Sequence, residues 1–121
     1  MRDEKPTEWM GSSLDDLAAM PRPVRQDLGW GISDVQNGGM PDKFTPLTEF
    51  GAGVIELKSS LKGEAYRGVI IYTLPDAVYV LHVFHKKSKT GRSIPRADKD
   101  IIEAAAREAR ERSAKAMKLK R

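Results

Sequence analysis

Three apolar runs, VIELK (54–58), AYRGVIIYT (65–73) and AVYVLHVF (77–84), follow one another with only SSLKGE and LPD between them. Their wealth of β-branched and aromatic side chains predicts strands. Connections this short cannot carry a crossover, so consecutive runs must pair antiparallel. Side chains alternate along a strand. In the second run Tyr66, Ile70 and Tyr72 therefore share one face, and Arg67, Val69, Ile71 and Thr73 the other. In the third, strict alternation sets Tyr79, Leu81 and Val83 against Val78, Val80, His82 and Phe84. Neither face of such a sheet is polar, so both must be covered.

The covers are readable on either side. SSLDDLAAM, from Ser12, predicts a short helix capped by Ser12 or Ser13, with Asp15 and Asp16 in its first turn and Pro21 as its stop. Between Pro23 and Gln36, Val24, Leu28, Ile32 and Val35 recur at helical spacing, and NGG (37–39) ends the pattern. Gly29 and Gly31 each cost this second helix about 1 kcal/mol relative to Ala, which suggests close approach to a neighbour, with Trp30 filling a groove. MPDKFTPLTEFGAG (40–53) reads as a connecting loop. After Pro95, an Ala/Glu/Arg-rich stretch predicts a last helix with a thin stripe of Ile101, Ile102, Ala105 and Ala109. The expected architecture is α+β: two N-terminal helices on a small antiparallel sheet of three to four strands, then a C-terminal helix. Residues 1–10 are expected to be a flexible N-terminus, 11–112 the domain, and 113–121 a basic tail.

At 121 residues the chain fits one domain. It has no cysteine, which excludes disulfides, thiolate nucleophiles and Cys-based metal sites, and fits a reducing cytoplasm. No apolar run approaches a signal peptide or the roughly 20 residues of a membrane span. Charge is unevenly placed. Residues 1–50 hold five Lys/Arg against nine Asp/Glu, and residues 51–121 hold sixteen against eight, giving −4 and +8. The densest part is VFHKKSKTGRSIPR (83–96), with five Lys/Arg and no acid. A charge run of this kind is either a solvated face or the footprint of a polyanion partner, an acidic protein included.

Arg67 lies inside an otherwise apolar strand, where a charge is costly without an anion. Glu56 on the neighbouring strand can supply an internal salt bridge; alternatively the guanidinium is a fork for a phosphate. Both can hold together. Glu56 and Lys58 share a face of the first strand, and Lys86 has the parity of His82 and Phe84, so Arg67 and Lys86 can look onto one surface. His85 points elsewhere unless the strand twists. The two histidines, His82 and His85, separated by two residues with no Cys and no clustered carboxylates, do not make a zinc site. No Walker loop, dinucleotide fingerprint or GxSxG motif is present, and no cofactor is implied.

The ordered run ELK (56–58), AYRGVIIY (65–72), AVYVLHVFHKKSKTG (77–91), Pro95 and IIEAAARE (101–108), preceded by WMGSSLDDL and PRPVRQDLGWGISDVQNGG, resembles the phage-related branch of the RelE/HigB-like toxins. The resemblance spans about Trp9 to Arg110. It implies a RelE-like fold and a type II toxin encoded beside an antitoxin, often of helix-turn-helix type, with which it forms a hetero-oligomer. It further implies a cytoplasmic, metal-independent endoribonuclease that cleaves mRNA in the ribosomal A site by attack of a ribose 2′-hydroxyl on the adjacent phosphate. Arg67 in YRG matches the family's strand arginine, which stabilises the scissile phosphate. Lys86 matches the cation after the last strand, an acid or phosphate clamp. Lys58 approximates the basic position of the first strand. Lys87 and Lys89 would hold RNA backbone, with Arg92, Arg96 and His82 as further RNA contacts.

Two departures stand out. Glu56 replaces a lysine of RelE, and no aromatic or histidine follows His85, which leaves His85 or His82 to compensate in catalysis. These departures keep open a non-catalytic toxin like the ParE proteins, which act on DNA gyrase, and a non-toxic phage-derived nucleic-acid-binding module.

Overall fold

The structure is a computed structural model that describes residues 4–86 and 94–119. It is an α+β arrangement around a five-stranded mixed sheet, with α1 (Ser13–Ala18), α2 (Arg22–Gln36) and α3 (Arg96–Leu119). The strands are β1 (Thr7–Trp9), β2 (Phe44–Pro46), β3 (Val54–Leu61), β4 (Glu64–Ile71) and β5 (Val78–Lys86), in the order β1-β5-β4-β3-β2. The central meander β3-β4-β5 is antiparallel as the short connections require. Its first turn is only Lys62-Gly63, both at positive φ, which is the pairing a two-residue hairpin of matching twist needs.

The sheet exceeds the expected three to four strands by two short flanking ones, and it is mixed. Phe44–Pro46, read as loop because of its proline, pairs antiparallel with Ile55–Leu57. Proline is tolerated there because β2 is an edge strand. Thr7–Trp9 pairs parallel with Val78–Val80, within the segment expected to be a flexible terminus.

Each face has its own core. On one, Val24, Leu28, Ile32 and Val35 of α2 meet Ile55, Leu57, Ile70, Val78, Val80 and Val83. The predicted helical spacing is the observed contact stripe. Gly31 permits the close approach: a Cβ there would lie 3.2 Å from the Leu57 side chain. Gly29 has open space at the same point, and Trp30 is 66% exposed rather than filling a groove. The helix ends where Gly38 N–H donates to Val35 O and Gly39 N–H to Asp34 O.

On the other face, α3 packs Ile102, Ala106 and Ala109 against Tyr79, Leu81 and Phe84. The stripe is rotated from the expected one: Ile101 is 47% exposed, and the buried line continues to Ser113, inside the stretch read as tail. Ser113 and Tyr79 both donate hydroxyl hydrogen bonds to the Asp76 carboxylate in the β4–β5 turn. Burial first, and the Asp76 hydrogen bond second, raise the Tyr79 phenol well above its ordinary value.

Strict alternation fails in β5. Val69 pairs with His82 but Ile70 with Val80, so Leu81 is an extra residue in a β-bulge. Residues after the bulge change face relative to those before it. Val83 joins Val78 and Val80 under α2, and His82 and Phe84 join Tyr79 and Leu81 under α3.

Candidate nucleic-acid interface

Residues paired across strands share a face. Lys58 pairs with Arg67, Arg67 with Phe84, and Ala65 with Lys86, so Lys58, Arg67 and Lys86 lie on the α3 side of the sheet, the first two at mid-strand and Lys86 at the end of β5 away from the β4–β5 turn. Glu56, opposite Val69, belongs to the same face. Arg67 Nε sits 3.5 Å from Glu56 Oε1, and Arg67 Nη1 donates to the Tyr66 carbonyl at 3.0 Å. The ion pair read from the strands is therefore formed. It is incomplete: Arg67 Nε and Glu56 Oε2 are buried and have no hydrogen-bond partner among the described residues. A buried carboxylate and guanidinium with spare capacity form a site where an added polar group gains more than it would in water.

Lys86 is buried at 8% exposure and Lys58 is exposed. The histidines separate. His82 is buried between the sheet and α3, stacked on Phe84 at 4.9 Å, with Nε2 2.7 Å from Asp98 Oδ1. His85 lies on the opposite face from Arg67, stacked on Tyr66 at 4.6 Å, with Nε2 2.8 Å from Glu64 Oε1. Arg96 is exposed at the start of α3 and pairs with Asp100. Lys87, Lys89 and Arg92 lie outside the described residues. The structure thus brings Arg67, Lys58 and Lys86 to one face as neighbours across strands, and separates His85 from them by the thickness of the sheet.

A cleft of about 650 Å³ runs over the edge of β3 from α2 to Lys58 and Arg67. It exists because β2 covers β3 only as far as Leu57, and the chain before β2, Pro41 to Lys43, forms a wall. Asp27, Trp30 and Asp34 of α2 form the other wall, and Asp27 accepts a hydrogen bond from Ser59 Oγ at 2.7 Å. Sequence reading passed over this wall. Its signal was present: positions 27, 30 and 34 follow the i, i+3, i+7 rule and define one helix stripe. Among the described residues no group of three or more His, Asp or Glu comes together as a metal site, and no helix is long and apolar enough to cross a membrane.

The family model of the phage-derived protein Gp49-like family (DUF891) matches residues 15–107, from α1 to the middle of α3. The chain belongs to the Gp49-like family. This is a toxin-like family related to the RelE/HigB type II toxins. No curated protein and no solved structure matches the chain. The Gp49-like match contains every strand of the central meander, so the cations on the sheet and both walls of the cleft fall within it.

Proposed function

We infer that this Gp49-like protein is the toxin of a type II toxin–antitoxin pair and acts as an endoribonuclease on ribosome-bound mRNA. The observation that carries the reading is the placement of Arg67 with Lys58 and Lys86 as neighbours on one sheet face. Cleavage by a 2′-hydroxyl adds negative charge to the phosphate in the transition state, remote from water if the strand is buried in the ribosome. Fixed cations there stabilise that charge without reorganising at the moment of reaction. Arg67 would hold the non-bridging oxygens, Lys86 would clamp the phosphate or protonate the leaving 5′ oxygen, and Lys58 would hold the strand. His85 lies on the other face, so its role would need the strand end to move. The adjoining run 87–96 supplies further backbone contacts by its charge. A cognate antitoxin would meet these cations with acidic side chains.

The test is 5′-end mapping of an mRNA in a reconstituted translation system with and without ribosomes. Wild-type protein is expected to cut in the A site only when ribosomes are present. Arg67→Ala is expected to lower the cutting rate by about 10²–10³-fold, the usual loss for one transition-state donor. Intact mRNA with wild-type protein would refute the nuclease reading.

One observation favours the gyrase-directed alternative: Glu56 already neutralises Arg67. Inhibition of gyrase supercoiling by purified protein, with mRNA left intact, would decide for it.

A further inference from the structure

The lining of the cleft over the β3 edge carries charges of both signs, Lys43, Lys58 and Arg67 with Asp27, Asp34 and Asp42, and Trp30 stands among them. The side chains of Trp30, Asp34 and Asp42 enter no hydrogen bond or ion pair among the described residues. A single exposed aromatic is unremarkable on a protein surface. This one is 66% exposed inside a concavity whose volume is in the range of small-ligand sites.

We propose that this cleft holds one nucleotide of single-stranded RNA, a guanosine 5′-phosphate by preference. Its base stacks on Trp30, its Watson–Crick edge donates to the carboxylates of Asp34 and Asp42, and its phosphate is held by Lys58 and Arg67. The inference rests on the reading of the protein as acting on RNA, and adds where and how a base is distinguished. Unstacked bases are held by aromatic faces and read on their edges. A carboxylate only accepts hydrogen bonds. Guanine offers it adjacent N1–H and N2–H donors, whereas uracil offers one N–H between two carbonyl oxygens that a carboxylate repels. Asp34 and Asp42 repel a phosphate that Lys58 and Arg67 attract, which orients the bound nucleotide.

An added peptide strand is the competing occupant. Val54 O accepts from Leu47 N on the outer side of β3, so by alternation the outward backbone groups past β2 are those of Lys58 and Ser60. Two residues of open edge are few for strand addition, which draws its affinity from repeated main-chain bonds.

The protein has two tryptophans, so a Trp9→Phe variant reports on Trp30 alone. Its fluorescence would be titrated with GMP, UMP and inorganic phosphate, and the same ligands measured by calorimetry on the unaltered protein, which does not depend on the variant folding. The expected result is saturable quenching by GMP, affinity for GMP at least fivefold above UMP, and no quenching by phosphate. Asp34→Asn/Asp42→Asn should reduce the GMP preference below twofold, and Arg67→Ala should weaken GMP about tenfold. Equal affinity for GMP and UMP, or GMP bound no better than phosphate, would overturn the proposal. So would saturable binding of an extended lysine-rich peptide that GMP fails to displace. Selective GMP binding by a protein that leaves ribosomal mRNA intact would sink the nuclease reading and keep this subsite. Ribosomal cleavage whose base preference is unchanged in Trp30→Ala would do the reverse.

Discussion

An arginine whose side chain is 15% exposed on a central strand needs an anion, and Glu56 supplies one at 3.5 Å. Removing one member of such a pair strands the other. Arg67→Ala should therefore lower stability by about 3–5 kcal/mol in urea unfolding, whereas the apolar pair Glu56→Leu/Arg67→Leu should recover most of that loss. If the single variant is as stable as wild type, the pair is not structural, and any loss of cutting measured in Arg67→Ala is chemical. Tyr79 gives a second residue-level outcome. Its phenol is raised in the folded state above the ordinary 10.0, so its contribution is complete below pH 10 and is lost as pH rises toward the folded value. Stability of wild type should fall above pH 10 more steeply than that of Tyr79→Phe, as read from chemical denaturation between pH 8 and about 11.

Among the elements, α2 sets both the core on one face and a wall of the cleft. Its two interior glycines have opposite status. Gly29→Ala adds a side chain into open space and should gain about 0.5–1 kcal/mol of helix propensity, seen as a raised Tm. Gly31→Ala must displace the 2%-exposed Leu57 by a few tenths of an ångström, so the same propensity gain is offset and no rise in Tm is expected. Equal shifts in the two variants would show that the α2–β3 contact is loose. The stripe of α2 was legible because Val24, Leu28, Ile32 and Val35 are separated by polar residues. That of α3 was not: Ile101 and Ile102 are adjacent, and alanines on several faces leave its phase undetermined until the helix meets Tyr79 and Leu81. The bulge at Leu81 was hidden for a related reason. In VYVLHVF apolar residues occupy both faces, so shifting the alternation by one leaves the pattern looking the same.

For the molecule as a whole, the meander was legible from run lengths and connections, because antiparallel neighbours follow from local sequence. The flanking strands were not, since three residues carry no period and their pairing with distant strands is a tertiary event. The cationic part of the sheet was half legible: parity allowed Arg67 and Lys86 to share a surface without fixing it, while the cleft required knowing how far β2 covers β3. The charge division of −4 against +8 gives the whole molecule a testable property. If about four cations contact RNA phosphates, the logarithm of affinity for a single-stranded RNA should fall with the logarithm of salt concentration at a slope of roughly −3. A slope near zero would remove the polyanion interpretation of the basic half.

The parallel pairing of Thr7–Trp9 with Val78–Val80 matters beyond architecture. Without those three residues the outer edge of β5 is a bare Val-Tyr-Val ladder, an invitation to pair with another chain. A short strand bearing Glu8 closes it and presents a poor template in its place. The opening residues thus guard against self-association, and a fusion or truncation that lifts them off β5 risks aggregates in which the chemistry of the sheet is intact but inaccessible.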